Sequence, residues 1–267
     1  MSARTFAIGD IHGDLEQLRN LLARLGPLGR DDKLVFLGDY VDRGPDSRGV
    51  IDFIRFELPK TGAQIVALRG NHEDAWLRVL DEGWDGFVLP AGNGCLACLR
   101  SFVGGRPPEL NEQPRTDAEW DSLLSGDFLP ADVVKWMREL PLWHEDEHAI
   151  YVHAGLPQAG DRFLHPAEID SPAIMLWSRT LEFFREYDGK TCIVGHTVTS
   201  LLPPEMSSFA PENPDDLWAG EQVIAIDTGC GKGGFLTAIE LPELFVWESR
   251  DPRRHGGSTT PTWVAAR

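Results

Sequence analysis

The chain has 267 residues, of which 42% are hydrophobic and 25% are charged, which supplies a core and excludes global disorder. Its formal net charge of −17 argues against nucleic acid or an anionic membrane as a partner, because both attract basic surfaces. The sequence has no window of about 18 apolar residues, so we predict no membrane-spanning segment. Four cysteines are too few for a disulfide framework, which favours a reducing, cytoplasmic location.

The N-terminal third repeats a strand–turn–helix pattern three times. Short buried strands are predicted at 5–8, 33–37 and 64–68. Each strand leads through a polar, Gly-rich turn into a helix; the predicted helices cover about 15–25, 47–56 and 74–80. Ser47 is the expected N-cap of the second helix. Such alternation predicts a parallel α/β sheet with right-handed crossovers.

The middle of the chain reads as a mostly helical insertion at about 81–147, expected to pack over the mouth of the sheet. Helices are predicted near 94–103, 117–125 and 131–140, and strands at 148–152, 191–194, 223–227, 235–240 and 244–248. The last three strands suggest a second, partly antiparallel sheet. We expect one domain over 1–248, a surface loop at 203–220 and a mobile tail at 249–267.

Five predicted strands end in runs of Asp, His or Asn flanked by glycine. These runs are Gly9–Gly13, Gly38–Gly44, Gly70–Glu73, His153–Gly155 and Gly195–Thr197. In open α/β sheets, ligands bind just beyond the carboxyl ends of the strands. The five runs can therefore converge on one point, where glycine permits sharp turns and close backbone approach.

The candidate ligands are oxygen atoms and imidazole nitrogens, without thiolate. This mixture suits Mn, Fe, Zn or Co better than an all-oxygen Ca or Mg site. Two Asp, one Asn and three His exceed what one tetrahedral ion needs. A two-metal centre bridged by one carboxylate would use them all.

Taken together, these runs resemble the bacterial-type phosphoprotein phosphatase (PPP) branch of the calcineurin-like metallophosphoesterase superfamily. The signatures GDxHG, GDxxDRG, GNHE, HAG and GHT occur in that order over about 5–230. The resemblance implies an α/β fold in which two facing sheets form an α/β/β/α sandwich. It also implies two divalent metal ions, of which Mn is favoured and Fe, Zn or Co are alternatives.

The resemblance assigns a role to each matching residue. The implied metal ligands are Asp10, His12, Asp39, Asn71, His153 and His196, with Asp39 as the bridge. Arg43 and Arg179 resemble the phosphate-binding arginines, and His72 resembles a general acid oriented by Asp42. Asn71 and His72 are also expected to contact the substrate.

The implied reaction is hydrolysis of a phosphomonoester by in-line attack of a metal-bridging hydroxide. A serine/threonine phosphoprotein is the first expected substrate. Alternatives are symmetrical cleavage of a bis(5'-nucleosyl) tetraphosphate and hydrolysis of phosphotyrosine or a small phosphoester. A non-catalytic metal-binding scaffold is the alternative from another class. It is disfavoured because metal binding alone needs neither His72, Asp42 nor Arg43. The oligomeric state stays open.

Three further features have competing interpretations. Cys95 and Cys98 can form a redox pair, but their spacing on an apolar helix favours burial. The glycine patterns at 92–97 and 229–234 fit a loose dinucleotide template without its strand–helix context. The second pattern can instead lie at the rim of the site, where Cys230 and Lys232 would approach the substrate.

Overall fold

Two mixed β-sheets pack face to face in a computed structural model that describes residues 4–209, 216–250 and 262–263. The first sheet has the strand order β13-β12-β11-β1-β2-β3, and the second has the order β4-β5-β8-β10-β9. The strands of the first sheet are Arg4–Ile8 (β1), Asp32–Phe36 (β2), Gln64–Ala67 (β3), Thr237–Leu241 (β11), Phe245–Glu248 (β12) and Thr262–Trp263 (β13). Those of the second are Trp143–Glu145 (β4), Ile150–Val152 (β5), Cys192–Val194 (β8), Trp218–Ala219 (β9) and Val223–Ala225 (β10). Gln158–Ala159 (β6) and Arg162–Phe163 (β7) form a small hairpin.

Helices cover the outer faces of both sheets. They span Leu15–Leu25 (α1), Ser47–Asp52 (α2), Asn71–Glu82 (α3), Asp85–Val88 (α4), Cys95–Val103 (α5), Asp117–Ser125 (α6), Ala131–Glu139 (α7), Ala173–Trp177 (α8) and Leu181–Glu186 (α9). A π-turn at Phe53–Glu57 and a 3-10 turn at Leu58–Thr61 continue α2 toward β3. The layers are therefore α/β/β/α, as the motifs implied.

The alternation of side chains along β1 explains why both faces of the first sheet are buried. Phe6 and Ile8 point into the core beneath the helices, whereas Ala7 points into the core between the sheets. Since successive residues of a strand face opposite sides, a strand buried on both faces reads as a continuous apolar run. A third core lies between the second sheet and α8 and α9.

The parallel order of β1, β2 and β3 is confirmed, and it places their carboxyl ends at one edge. The expectation that the last three strands share a second sheet is wrong. Only β10 belongs there; β11 pairs antiparallel with β1, and β12 pairs with β11. Periodicity reports that a strand is buried but not which neighbour it pairs with, and β11 is buried along its whole length.

Two local expectations also need correction. Asp46, rather than Ser47, caps α2, because its side chain accepts a hydrogen bond from the Gly49 amide at 2.8 Å. The segment 203–220 is not simply a surface loop: Trp218 is buried in β9, while 210–215 lie outside the described residues.

The insertion and the tail both pack against the first sheet or its helices. Helices α5 and α7 add Leu99 and Met137 to the core beneath α1–α3. Most of the expected mobile tail, 251–261 and 264–267, lies outside the described residues, and β13 pairs with β12. None of the described helices has the length and apolar character that crossing a bilayer requires.

Candidate active site

The site forms where five strands end and the chain turns sharply. Asp10 and His12 follow β1, Asp39 follows β2, and Asn71 begins α3 after β3. In the second sheet, a ligand candidate follows each of β5 and β8; these are His153 and His196. All six side chains are buried. His12, Asp39 and His196 adopt left-handed backbone conformations, with φ of 48°, 53° and 62°. Strained residues of this kind cluster at functional sites.

One half of the cluster groups Asp10, His12 and Asp39. His12 Nε2 lies 3.4 Å from Asp39 Oδ2 and 3.9 Å from Asp10 Oδ2. The other ring nitrogen, Nδ1, lies 3.1 Å from the Val41 carbonyl oxygen, which fixes the ring so that Nε2 faces the carboxylates.

The other half groups Asn71, His153 and His196. Asn71 Oδ1 lies 2.9 Å from His153 Nε2 and 2.8 Å from His196 Nδ1. His153 Nε2 is also 3.5 Å from Asp39 Oδ1, and its Nδ1 is held 2.8 Å from the Leu37 carbonyl. Asp39 therefore touches both halves, one with each oxygen. Oxygen and imidazole donors that converge in a buried pocket fit a pair of divalent cations.

A buried pair, Asp42 and His72, lies beside this cluster. His72 Nδ1 is 2.6 Å from Asp42 Oδ2, and the Trp76 indole donates to Asp42 Oδ1 at 3.0 Å. Burial raises the pKa of Asp42 to about 8 and lowers the pKa of His72 well below its usual range. Burial thus disfavours charge on both partners. Phe87 of the insertion packs edge-on against the His72 ring at 5.2 Å.

Arg43 projects its guanidinium onto the His12 ring, with Nη1 3.1 Å from Nδ1 and in contact with Nε2. Within the ranges that the structure describes, Arg43 has no carboxylate partner. Its backbone amide donates to the Gly94 carbonyl at 3.2 Å, so the insertion holds the loop that carries Asp42 and Arg43.

Arg179 lies further from the cluster than the other predicted residues. It follows α8 as an exposed side chain and lines an open cleft of about 530 Å³. Burial lowers the pKa of His196 below its usual range, and the charge of Arg179 contributes to that shift. Arg179 is therefore near the second half of the cluster, but no hydrogen bond between it and a ligand candidate is present in the described residues.

A family model described as calcineurin-like phosphoesterase matches residues 3–200. The chain belongs to the calcineurin-like phosphoesterases. The match confirms the resemblance seen in the motifs and makes the protein a member of a family of phosphoester hydrolases.

Similar curated proteins of this family are two tetraphosphatases. The asymmetrical bis(5'-nucleosyl)-tetraphosphatase PrpE of Bacillus cereus (strain 03BB102) is 27% identical to this phosphoesterase over 265 residues, with 89% of this chain and 90% of the relative covered. PrpE of Bacillus thuringiensis (strain Al Hakam) matches at the same identity and coverage, 27% over 265 residues.

Solved structures share the fold of this phosphoesterase. A structure assigned provisionally as a diadenosine tetraphosphatase aligns with a TM-score of 0.55 at 20% identity, covering 99% of this chain and 96% of that one. A metallophosphoesterase from Sphaerobacter thermophilus aligns with a TM-score of 0.52 at 18% identity, covering 97% of this chain and 96% of that one. A protein serine/threonine phosphatase from Saccharomyces cerevisiae aligns with a TM-score of 0.50 at 16% identity, covering 91% of this chain and 74% of that one.

Two acidic residues outside the predicted ligand set also contact the site. Glu73 accepts hydrogen bonds from the amides of Asp39 and Gly70 at 2.9 and 3.0 Å, and so ties two site loops together. Asp227, fully buried after β10, raises the pKa of Asp10 in addition to the larger effect of burial. An Asp two residues before glycine at a sixth strand end, in Asp227-Thr228-Gly229, was the signal that could have revealed Asp227.

The cysteines and the second glycine pattern are also placed. Cys95 and Cys98 are buried free thiols, as expected. Cys230 is buried, and its thiol donates to the carbonyl of Ile11, which lies between Asp10 and His12, at 3.3 Å. Lys232 lies 3.3 Å from Asp227 Oδ2 and is partly exposed.

Proposed function

We propose that this phosphoesterase is a metal-dependent hydrolase that transfers the phosphoryl group of a phosphomonoester to water. One observation carries the proposal: six oxygen and imidazole ligands from five strand ends converge beside the Asp42–His72 pair and Arg43. Metal binding alone requires neither that pair nor the arginine, so the combination favours catalysis over a non-catalytic scaffold.

The six side chains would hold two divalent cations, with Asp39 shared between them. Mn is the favoured metal, and Fe, Zn and Co are alternatives with suitable ligand chemistry. When bound, such cations supply Lewis acidity and lower the pKa of water to about 7, which provides hydroxide at neutral pH.

The arginines would bind the phosphate. A guanidinium presents parallel N–H donors that match two phosphate oxygens, which a lysine cannot do. Arg43 pairs with no carboxylate in the described part of the chain, and its guanidinium would leave the His12 ring to bind phosphate. Arg179, which lines the adjoining cleft, would be the second phosphate-binding arginine. These charges would attract a phosphate dianion locally, even though the whole chain carries −17.

His72 would give its proton to the oxygen of the leaving group. The imidazole of His72 faces the cluster, and Asp42 holds the ring at 2.6 Å in one orientation. Trp76 donates to Asp42 at 3.0 Å and so fixes the carboxylate in turn. The hydrogen bond between Nδ1 and Asp42 fixes the ring with Nε2 turned toward the cluster, 3.9 Å from Asp39 Oδ2. The acid role requires a proton on this Nε2 nitrogen.

Phosphoserine or phosphothreonine in a protein is one candidate substrate, and the Asp42–His72 pair is the observation that favours it. An alkoxide is a poor leaving group and needs a proton as the bond to phosphorus breaks. A built general acid is therefore most valuable for alkyl phosphates. Phosphotyrosine and small phosphoesters belong to the same reaction class.

A dinucleoside tetraphosphate is the second candidate, favoured by a different observation. The two PrpE relatives, whose names specify asymmetrical cleavage, are similar to this chain over 89% of its length. This makes asymmetrical cleavage a stronger candidate than the symmetrical cleavage considered from the motifs.

One set of assays tests the proposal. The purified protein is loaded separately with Mn²⁺, Fe²⁺, Zn²⁺ or Co²⁺ and given p-nitrophenyl phosphate, a phosphoserine peptide and diadenosine tetraphosphate. We expect turnover that a chelator abolishes and added metal restores. From the tetraphosphate, ATP with AMP would indicate asymmetrical cleavage, whereas ADP alone would indicate symmetrical cleavage.

The same assays distinguish a hydrolase from a non-catalytic metal-binding scaffold. If none of the metals gives turnover on any substrate while metal is bound, the hydrolase proposal is wrong. The cytoplasmic location remains a proposal that the small number of cysteines supports. The absence of nucleic-acid and membrane partners remains a proposal that the charge of −17 supports.

A further inference from the structure

An open cleft of about 530 Å³ lies beside the candidate active site and has no role so far. Its lining combines the loop after β5, the β6–β7 hairpin, α8 and the start of α9. A volume of this size is typical of small-molecule sites. The apolar part of the lining includes Leu156, Phe163, Ile174 and Trp177.

Two aromatic side chains in the lining are fixed by their neighbours. Phe163 packs edge-on against Phe183 at 5.9 Å, within the core behind the second sheet. Trp177 packs against Trp84 at 5.6 Å, and its indole nitrogen lies 3.5 Å from Asp74. Rigid aromatic walls bind flat rings at low cost in conformational entropy.

The cleft is coupled to the proposed phosphate site through the backbone. Leu156 is three residues after His153, and Arg179 is two residues after Trp177. The Ala154 amide donates to the Met175 carbonyl at 2.8 Å, which joins the loop after β5 to α8. Arg179 itself lines the cleft. The cleft therefore adjoins the loop that carries His153, and a molecule bound there would have one end close to the metal ligands.

Polar side chains that line the cleft can form hydrogen bonds with the edge of a bound aromatic ring. Gln158, Ser178, Thr180 and Glu182 line the cleft together with the apolar residues. A carboxylate and an amide accept hydrogen bonds from exocyclic amino groups, and hydroxyls pair with ring nitrogens. Apolar walls, a few polar groups and an adjacent guanidinium match a nucleoside whose phosphate points toward Arg179.

We propose that this cleft binds the nucleobase of a nucleotide substrate, with Arg179 between the base and the scissile phosphate. The inference rests on the proposed hydrolase function and narrows it, because it selects nucleotides over phosphoproteins as the substrate class.

The test compares AMP with ribose 5-phosphate, which share a sugar phosphate and differ by the base. Binding to the Mn²⁺-loaded protein is measured by calorimetry, independently of turnover. Base stacking predicts that AMP binds about tenfold tighter than ribose 5-phosphate.

Ile174→Glu and Leu181→Glu form a matched pair of variants. Ile174 lines the cleft and is 42% exposed, whereas Leu181 is 41% exposed and is not part of the lining. Both changes add one negative charge at an exposed position, so neither is expected to prevent folding. We expect Ile174→Glu to reduce the preference for AMP to within twofold and Leu181→Glu to preserve it.

Several outcomes would overturn the nucleobase site. The first is equal affinity of the wild type for AMP and ribose 5-phosphate. The second is an unchanged preference for AMP in Ile174→Glu. The third is that Ile174→Glu loses affinity for a phosphoserine peptide and not for AMP. Turnover of p-nitrophenyl phosphate is measured in parallel. Its absence would reject the hydrolase function, whereas the AMP comparison alone decides the cleft.

Discussion

Asp39 contacts both halves of the candidate metal site. Its Oδ2 lies 3.4 Å from His12 Nε2, and its Oδ1 lies 3.5 Å from His153 Nε2 and accepts from the His72 amide at 2.9 Å. A left-handed backbone at φ 53° turns this side chain into the pocket directly after β2. A single residue therefore links the proposed metals to the helix that carries the proposed acid.

Replacing His72 with Asn tests the acid at the residue scale. His72→Asn should lower kcat for an alkyl phosphate by about 10²–10⁴-fold, the usual contribution of a general acid. The loss should be much smaller for p-nitrophenyl phosphate, since its leaving group needs little protonation. Metal content is the control and should match the wild type. Equal losses on both substrates would contradict the acid role.

The sequence could single out these side chains because each lies in a short motif. The pairing of His72 with Asp42 followed from the resemblance, and the structure brings the two within 2.6 Å. The contact of Glu73 with the Asp39 amide was not predictable, because it joins residues 34 positions apart in the chain.

At the scale of elements, the insertion helps to form the site. The turn before α5 places the Gly94 carbonyl 3.2 Å from the Arg43 amide. Gly94 has φ +78°, and a Cβ there would lie 2.3 Å from the Arg43 nitrogen. Asp42 and Arg43 themselves have φ of 70° and 65°, so the loop depends on this external support.

Gly94→Ala should therefore displace Arg43 and weaken substrate binding. We expect a KM for p-nitrophenyl phosphate at least about tenfold higher, the effect of weakening a charge-assisted hydrogen bond, with metal content retained. Gly92→Ala is the matched control, because a Cβ there meets nothing within 4 Å. An unchanged KM in Gly94→Ala would show that the insertion does not position Arg43.

The boundaries of helices were predictable where the apolar periodicity was strong. Strand pairing was less predictable, because it depends on contacts between distant parts of the chain. The helices at Cys95–Val103 and Asp117–Ser125 match the expected ranges. The pairing of β11 with β1 was not predictable, because it depends on which sheet edge a late hairpin reaches. The cap of α2 was misplaced by one residue, since Asp46 and Ser47 are both good N-caps.

On the scale of the whole molecule, an acidic chain holds together two sheets and a site that we propose binds phosphate. Away from that site, the first sheet is tied at its opposite end by Arg4 and Asp32, which begin β1 and β2. Arg4 donates to both Asp32 oxygens, at 2.8 and 2.9 Å.

Asp32 should make folding stability depend on pH. The hydrogen bond from Arg4 lowers the pKa of Asp32 below its usual value. The ionised pair therefore stabilises the fold above the unfolded pKa of about 4. Its contribution is lost as the pH falls through the lower, folded pKa.

Asp32→Asn should reduce the free energy of unfolding at pH 7 by about 1–2 kcal/mol. Urea unfolding of both proteins at several pH values measures this. The difference between them should shrink as the pH falls below about 4. A difference that grows on acidification would reverse the assigned direction of the pKa shift.

The metal content of the wild type and of Asp39→Asn tests the central claim most directly. After loading with Mn²⁺ and removal of the excess, elemental analysis should find two ions per wild-type chain and near-complete loss in Asp39→Asn. Asp32→Asn is the control for a lost carboxylate elsewhere and should keep both ions. A wild type that retains no metal, or an Asp39→Asn variant that keeps two ions, would contradict the shared-carboxylate site.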